Sequence, residues 1–187
     1  MTPEQARMVG VHTPVGRLLV STGLVLIAVV FRRELTATMA LHMLVHLPAI
    51  FLAGVLAAPR GRSSYAFNEQ GIPGLLLASL VLAYWMIPKA LDHVLVSEWA
   101  HALKFLSVFV AGMVLSVSLR QAQNVVKLFF VGNFCWMTAI VGLVYQEHAT
   151  RLCSFYLLGD QALTGMGLVI YAVLLPVGAI AAIYVKG

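Results

Sequence analysis

Residues 161–185 read QALTGMGLVIYAVLLPVGAIAAIYV, an apolar run without a charged side chain. A membrane-spanning α-helix needs about 20 such residues. The chain's other apolar stretches are divided by short polar breaks, which is typical of a protein that crosses the bilayer several times. Hydrophobic residues make up 61% of the 187 residues and charged residues only 10%, whereas soluble proteins carry roughly 25% charged residues. We therefore predict an all-α, polytopic membrane helix bundle.

The apolar runs predict about six transmembrane helices in a single domain that covers residues 1–187. The predicted spans lie near residues 14–31, 35–58, 72–89, 99–119, 124–145 and 160–185. Thr13 and Pro14 suit the N-cap and the first position of the first helix. No small-x-small cleavage site follows that apolar run, so we expect a retained helix and not a signal peptide.

The basic residues predict how the bundle is oriented. Six spans would place both termini on one side, and seven lysines and arginines fall on that side against four on the other. The first group is Arg7, Arg17, Arg60, Arg62, Arg120, Lys127 and Lys186, and the second is Arg32, Arg33, Lys89 and Arg151. The positive-inside rule then predicts cytoplasmic termini. The acids show the opposite bias, because most of them fall on the outer side: Glu34, Asp92, Glu98, Glu147 and Asp160. Since the basic residues mark loops and form no single patch, we expect no nucleic-acid partner.

The second predicted span contains two histidines, in the stretch Met39-Ala-Leu-His42-Met-Leu-Val-His46-Leu-Pro48. Met39, His42 and His46 share one helix face. Ionisable groups inside a span are costly and are therefore functional candidates. Imidazole and thioether are ligands that suit copper. Pro48 cannot donate a hydrogen bond to the carbonyl of Leu44, so we expect a free acceptor beside the histidines.

Two further residues complete the predicted metal site. His101 lies about one turn into the fourth span, and Asp160 begins the sixth. Copper is thus predicted on Met39, His42, His46, His101 and Asp160. Three alternatives remain open: the histidines are packing groups that hydrogen-bond to neighbouring helices, they transfer protons, or His46 and His101 ligate a haem b. A depth difference of roughly 10 Å between those two residues argues against the haem. Asp160 is also a candidate N-cap of its helix.

Other residues carry structural expectations. Lys104 lies one turn below His101, and we expect it to pair with an acid, either Asp92, Glu98 or Asp160. Four glycines are expected to permit close helix approach: Gly112, Gly142, Gly165 and Gly167. Cys135 and Cys153 provide no disulfide framework. Since no HExxH motif, phosphate-binding loop or nucleophile–base spacing is present, we predict that the chain is not an enzyme.

Three motifs in register resemble the CtaG-like cytochrome c oxidase assembly factors. They are Thr38–His46 with Ala58-Pro59, Tyr84–Leu91 with Glu98–Leu103 and Ala111-Gly112, and Leu158–Met166. His42, His46, His101, Asp160 and Gln161 match the family's motifs. Met86 stands where that family has a histidine, and Lys104 and Phe105 replace a Glu-His pair. The chain is also shorter than typical members, which tend to have a seventh span.

The resemblance implies a protein of the bacterial inner (plasma) membrane that supports a haem-copper oxidase. Its role would be copper handling during assembly or that of a bound accessory subunit, with the oxidase subunits and the lipid bilayer as partners. The alternatives are a structural helical subunit of another membrane metalloenzyme complex, without a metal of its own, and a haem b electron-transfer protein.

Overall fold

A computed structural model describes residues 13–60 and 66–184, and within these ranges every regular element is helical. In chain order the elements are α1 (Pro14–Val30), α2 (Arg32–Leu35), a π-helix (Leu41–His46), α3 (Leu47–Ala57), a 3₁₀ turn (Ala66–Asn68), α4 (Ile72–Trp85), α5 (Pro88–Val96), α6 (Glu98–Gln121), α7 (Asn124–Glu147) and α8 (Leu158–Tyr184). The predicted all-α membrane class is confirmed. So is the predicted N-cap of α1, because the Thr13 hydroxyl accepts from the Gly16 amide at 3.0 Å.

Fewer helices meet the length and hydropathy expected of a span than the sequence predicted. Three do so outright: α6, α7 and the part of α8 from Leu158 to Ala181. A fourth span is obtained if α4 and α5 are counted together as one broken span. The axes of these two helices differ by 72°. The break lies where Ile87 is extended before Pro88, a residue that disfavours helix in its predecessor. Pro14–Val30 and Leu41–Ala57 are apolar but shorter helices.

Glycines mark the places where helices approach most closely. A Cβ atom on Gly54 of α3 or Gly112 of α6 would overlap a backbone carbonyl of the opposite helix. The same holds where Gly142 of α7 meets Gly165 of α8, and Gly167 lies against a leucine side chain of the π-helix. The predicted role of Gly112, Gly142, Gly165 and Gly167 is therefore confirmed. The extensive pairings are α7 with α8, α3 with α6, α4 with α6, and α1 with α3.

The loops gather at two ends of the bundle. At the acidic end, Arg32 forms two hydrogen bonds of 2.6 Å with Glu98, and Asp92 accepts from the Ser154 amide at 2.7 Å. At the basic end, Arg17 donates to the Val55 carbonyl at 3.0 Å, and Arg120 likewise donates to Pro59 at 2.6 Å. This grouping agrees with the predicted sides. Arg7, Arg62 and Lys186 lie outside the described residues, and the cytoplasmic placement of the basic end stays a prediction.

Candidate functional site

The histidine pair is carried by a π-helical turn. Leu41–His46 is π-helical, and the Leu47 amide donates to the carbonyl of His42. π-Helical turns are rare and frequently occur at functional sites. The expected free acceptor is not free, because the Tyr171 hydroxyl of α8 donates to the Leu44 carbonyl at 2.7 Å. A donor from a distant helix thus replaces the one that Pro48 lacks.

His42 is fully buried and held on both ring nitrogens. Its Nδ1 lies 2.8 Å from the Tyr156 hydroxyl, and its Nε2 lies 2.8 Å from Nζ of Lys104. The Tyr156 hydroxyl donates to the Thr36 carbonyl at 3.1 Å. Its oxygen is then the acceptor for a proton on His42 Nδ1, which leaves Nε2 as an acceptor for the lysine. The hydrogen bonds thereby assign the tautomer of His42.

His46 and His101 extend the cluster towards α6. The ring centroid of His46 lies 5.6 Å from that of His42 and 6.2 Å from that of His101, and the His46 and His101 planes are stacked at 28°. His46 Nδ1 lies 3.4 Å from Nζ of Lys104. The Nε2 atom of His101 is buried and has no hydrogen-bond partner among the described residues. His46 Nε2 is also buried and forms no hydrogen bond of ordinary geometry there, although the His46 ring interacts with the backbone of Ala28. The structure therefore brings the three predicted histidines together.

Lys104 lies at the centre of the cluster with none of its surface exposed. Its amine contacts His42 and His46, so the expected pairing with an acid is wrong. The three candidate acids are engaged elsewhere or distant. Arg32 holds Glu98 in the one ion pair of the described ranges, Asp92 accepts from a backbone amide, and Asp160 lies in the first turn of α8. Of these three acids only Glu98 shares a helix with Lys104, and the lysine side chain is buried inside the bundle.

The other two predicted ligands are placed differently. Met39 is fully buried in the apolar core with Met43, Trp85 and Leu91. Asp160 is half-buried and is the third residue of α8, so it is not the N-cap; its carbonyl accepts from the Thr164 hydroxyl at 2.6 Å. Across residues 13–60 and 66–184, no three His, Cys, Asp or Glu side chains are arranged to hold a metal ion. Copper ligation by the five predicted residues stays a prediction.

Two residues that the ligand prediction did not include organise the acidic end. Tyr156 joins the loop before α8 to His42 and Thr36. Gln161 accepts from the Leu152 amide at 2.8 Å and donates to the Tyr145 carbonyl at 3.1 Å, which ties the same loop to α7. The sequence indicated a role for Tyr156 only through its type and position, as a tyrosine just before a predicted span.

Burial in the loop before α8 disfavours ionisation of the Cys153 thiol and the Tyr156 hydroxyl. Burial raises the pKa of the Cys153 thiol to about 12, and the nearby Asp92 carboxylate acts in the same direction. Burial likewise raises the pKa of Tyr156, with further contributions from Cys153 and two carboxyl groups. Both groups keep their protons at neutral pH, so Tyr156 remains a donor to Thr36.

A groove of about 670 Å³ leads from the surface of the acidic end to the cluster. Its walls include His101, Phe105 and Phe109 of α6, and its rim carries Arg32 and Arg33. His101 is thus the member of the cluster that a molecule entering this groove meets.

We found no match to the chain among protein-family models, curated protein sequences or solved structures. The CtaG-like assignment accordingly stays a prediction that depends on the three motifs.

Proposed function

We propose that the chain is a CtaG-like accessory subunit of a bacterial haem-copper oxidase, with a histidine cluster closed by Lys104 in place of a copper ion. It performs no catalytic step of its own. The motifs support the oxidase as partner, and one contact supports the metal-free cluster. That contact is the buried Lys104 amine, 2.8 Å from His42 Nε2 and 3.4 Å from His46 Nδ1.

A copper ion shared by His42 and His46 would compete with this amine. Metal–imidazole bonds are about 2.0–2.1 Å long, so an ion bound to both nitrogens would occupy the position of Nζ. A lysine ammonium has three donors and no lone pair to offer a metal. Copper binding there requires Lys104 to leave a position in which it is completely buried. The resembled family has glutamate at this position, and a carboxylate attracts a cation where lysine repels it.

The same cluster suits a permanent structural part. Lys104 belongs to α6, His42 and His46 to the π-helix, and Tyr156 to the loop before α8, so three separate segments are joined at the acidic end. Such a network fixes one arrangement of the segments. A network that holds these segments in one arrangement also holds the nearby surface in one shape, as binding to a permanent partner subunit requires.

We also propose that α1 and Leu41–Ala57 cross the bilayer, which gives six spans with cytoplasmic termini. Each has 17 residues and measures about 26 Å at 1.5 Å per residue. The hydrocarbon core is about 30 Å thick, and a deficit of a few ångströms is accommodated by local thinning and by snorkelling arginines. Arg17 and Arg32 flank α1 at its two ends.

Copper content after exposure of the purified protein to Cu(I) tests the closed cluster. We expect no stoichiometric copper in the wild type and a gain in Lys104→Ala, because that change frees two imidazole nitrogens. Adding His42→Ala to Lys104→Ala should abolish the gain, and Lys127→Ala is the matched lysine control that should gain nothing. Stoichiometric copper in the wild type that His42→Ala abolishes would overturn the closed cluster.

Copper handling remains a second candidate function because of the buried Nε2 atoms of His46 and His101, neither of which forms a hydrogen bond of ordinary geometry among the described residues. Imidazole nitrogens suit copper, but His46 Nε2 carries the ring proton while Nδ1 accepts from Lys104. An ion held by these two atoms would therefore require that proton to move to Nδ1 and the contact between His46 and Lys104 to be lost. In that case the wild type binds copper and His101→Ala loses it.

Purification of the tagged chain from native membranes in mild detergent tests the partner. Stoichiometric recovery with haem-copper oxidase subunits is expected. Substoichiometric recovery would indicate an assembly factor, and recovery with a different metalloenzyme would replace the oxidase as partner. A Soret band that belongs to the isolated chain would instead favour the haem b alternative.

A further inference from the structure

A second cavity lies in the basic half of the bundle, away from the histidines. It has a volume of about 550 Å³, is partly open, and is lined by α4, α6, α7 and α8, with one residue from α3. Small-molecule sites in proteins typically measure about 300–1,000 Å³. Its walls are almost wholly apolar and include Phe51, Leu82, Phe130, Phe134 and Leu174, and Lys127 is the one charged side chain that lines it.

The cavity runs along the bundle for most of one membrane leaflet. On α7 it extends from Lys127 to Cys135, and on α8 from Tyr171 to Ala179. Eight residues of α-helix measure about 12 Å, and half of the hydrocarbon core is about 15 Å thick. An extended acyl chain that enters from the basic end would therefore remain within the cavity down to the region of the bilayer centre.

Lys127 stands at the mouth of the cavity. Its side chain is half-buried, and Nζ donates to the Asn124 side chain at 3.2 Å, towards the start of α7 and the basic end. A lysine ammonium has three donors, so further donors are available to a ligand. At the same basic end of the bundle, Arg17 lies close enough to Arg60 and to Arg120 to be repelled by both.

We propose that this cavity binds one acyl chain of an anionic phospholipid and that Lys127 binds the lipid's phosphate group. Apolar walls of one leaflet's depth suit the chain, and the charge at the mouth suits the headgroup. Basic pockets between transmembrane helices on the cytoplasmic side are known to bind anionic lipid headgroups. A hydrophobic helix of a partner protein would fill the walls equally well but would leave the Lys127 charge without an anion.

Native mass spectrometry of the full chain, released from mixed phosphatidylglycerol and phosphatidylcholine nanodiscs, tests the site. The wild type should retain phosphatidylglycerol in preference to phosphatidylcholine. Gly178→Leu should lose the retained lipid, because Gly178 lines the cavity and a Cβ there meets open space. Gly132→Leu is the matched control: its Cβ also meets open space, it lies outside the cavity lining, and it should behave like the wild type.

Lys127→Gln separates the headgroup from the chain. It should still retain lipid but should lose the preference for phosphatidylglycerol, because glutamine keeps a donor for Asn124 and removes the charge. Ser79 lines the cavity on α4, so Ser79→Leu is a second cavity-filling variant for the same test if Gly178→Leu does not fold. If the wild type, Gly178→Leu and Ser79→Leu all retain the same amount of lipid, the lipid binds only non-specifically around the bundle, and the proposed site is overturned. Unchanged preference in Lys127→Gln would overturn the assigned headgroup contact.

Discussion

Replacing Tyr156 with phenylalanine tests the hydrogen-bond network that joins Tyr156, His42 and Lys104. The ring is 3% exposed and stays in place, so the change removes only a hydroxyl. That hydroxyl accepts from His42 Nδ1 at 2.8 Å and donates to the Thr36 carbonyl at 3.1 Å. We expect Tyr156→Phe to destabilise the folded bundle by about 1.5–4 kcal/mol.

The magnitude follows from what His42 can do afterwards. Moving its proton from Nδ1 to Nε2 would place an N–H against Nζ of Lys104, which already donates to Nε2 at 2.8 Å. The Nδ1–H group therefore stays buried without a partner, and such a group costs about 1–3 kcal/mol. The Thr36 carbonyl lies near the end of the bundle, where water can reach it, so its lost bond adds about 0.5–1 kcal/mol.

Unfolding of the protein in mixed micelles with increasing dodecyl sulfate, followed by circular dichroism, measures the effect. Tyr145→Phe is the matched control, because that hydroxyl makes a single bond to the Met86 carbonyl at 2.6 Å in an equally buried position. It should cost about 1 kcal/mol. In a His42→Phe background, Tyr156→Phe should cost only about 1 kcal/mol, because no imidazole donor remains.

The coupling between His42 and Tyr156 should therefore reach about 1–3 kcal/mol, above the average of about 0.6 kcal/mol measured for polar contacts in a membrane bundle. Two results would refute the reasoning. One is a Tyr156→Phe effect no larger than that of Tyr145→Phe. The other is simple additivity with His42→Phe.

Two further predictions concern the helix crossings and the acidic-end loop. Gly112→Ala should destabilise the bundle by about 1–3 kcal/mol, because its Cβ would overlap the Phe51 carbonyl. Gly132→Ala, whose Cβ meets open space, should be neutral or stabilising by up to about 1 kcal/mol from helix propensity; equal melting temperatures for the two variants would contradict the crossing. Cys153, with a pKa of about 12, should resist iodoacetamide at pH 8 until the protein is unfolded. Because the unfolded chain loses this thiol proton first, stability should fall as pH rises from about 9 towards 12, and Cys153→Ala should flatten that part of the profile.

The fold class could be predicted because it depends on composition over long windows. Uncharged runs such as residues 161–185 have few stable states other than a membrane helix. The close-approach glycines were equally predictable, since a missing side chain acts through local sterics. Helix length was harder to predict. Hydropathy is the same for a straight span and for α4 and α5 bent at Pro88, and the bend follows from the extended backbone of Ile87 before that proline.

The histidine cluster was predictable only in part. Helical spacing placed His42 and His46 on one face. Counting turns separated His46 and His101 by roughly 10 Å in depth, whereas their ring centroids lie only 6.2 Å apart. The prediction that Lys104 pairs with an acid was wrong, because it considered charge alone. The lysine side chain lies inside the bundle, where its amine contacts His42 and His46. Tyr156 is 114 residues from His42. No periodic pattern connects two positions that meet only after the loop before α8 folds back.

Lys104 also explains how a chain can keep His42 and His46 while it departs from the resembled family at Met86, Lys104 and Phe105. An imidazole lone pair buried in a bundle needs a partner, and either a metal ion that it ligates or an N–H group that donates to it satisfies that need. The Lys104 amine contacts one nitrogen of each histidine, so both acceptors are satisfied without further ligands. Histidines at positions 86 and 105 then have no ion to ligate, and a methionine and a phenylalanine fill those places at lower desolvation cost. The histidine pair alone therefore does not predict a metal; the residue that faces its lone pairs decides whether one can bind.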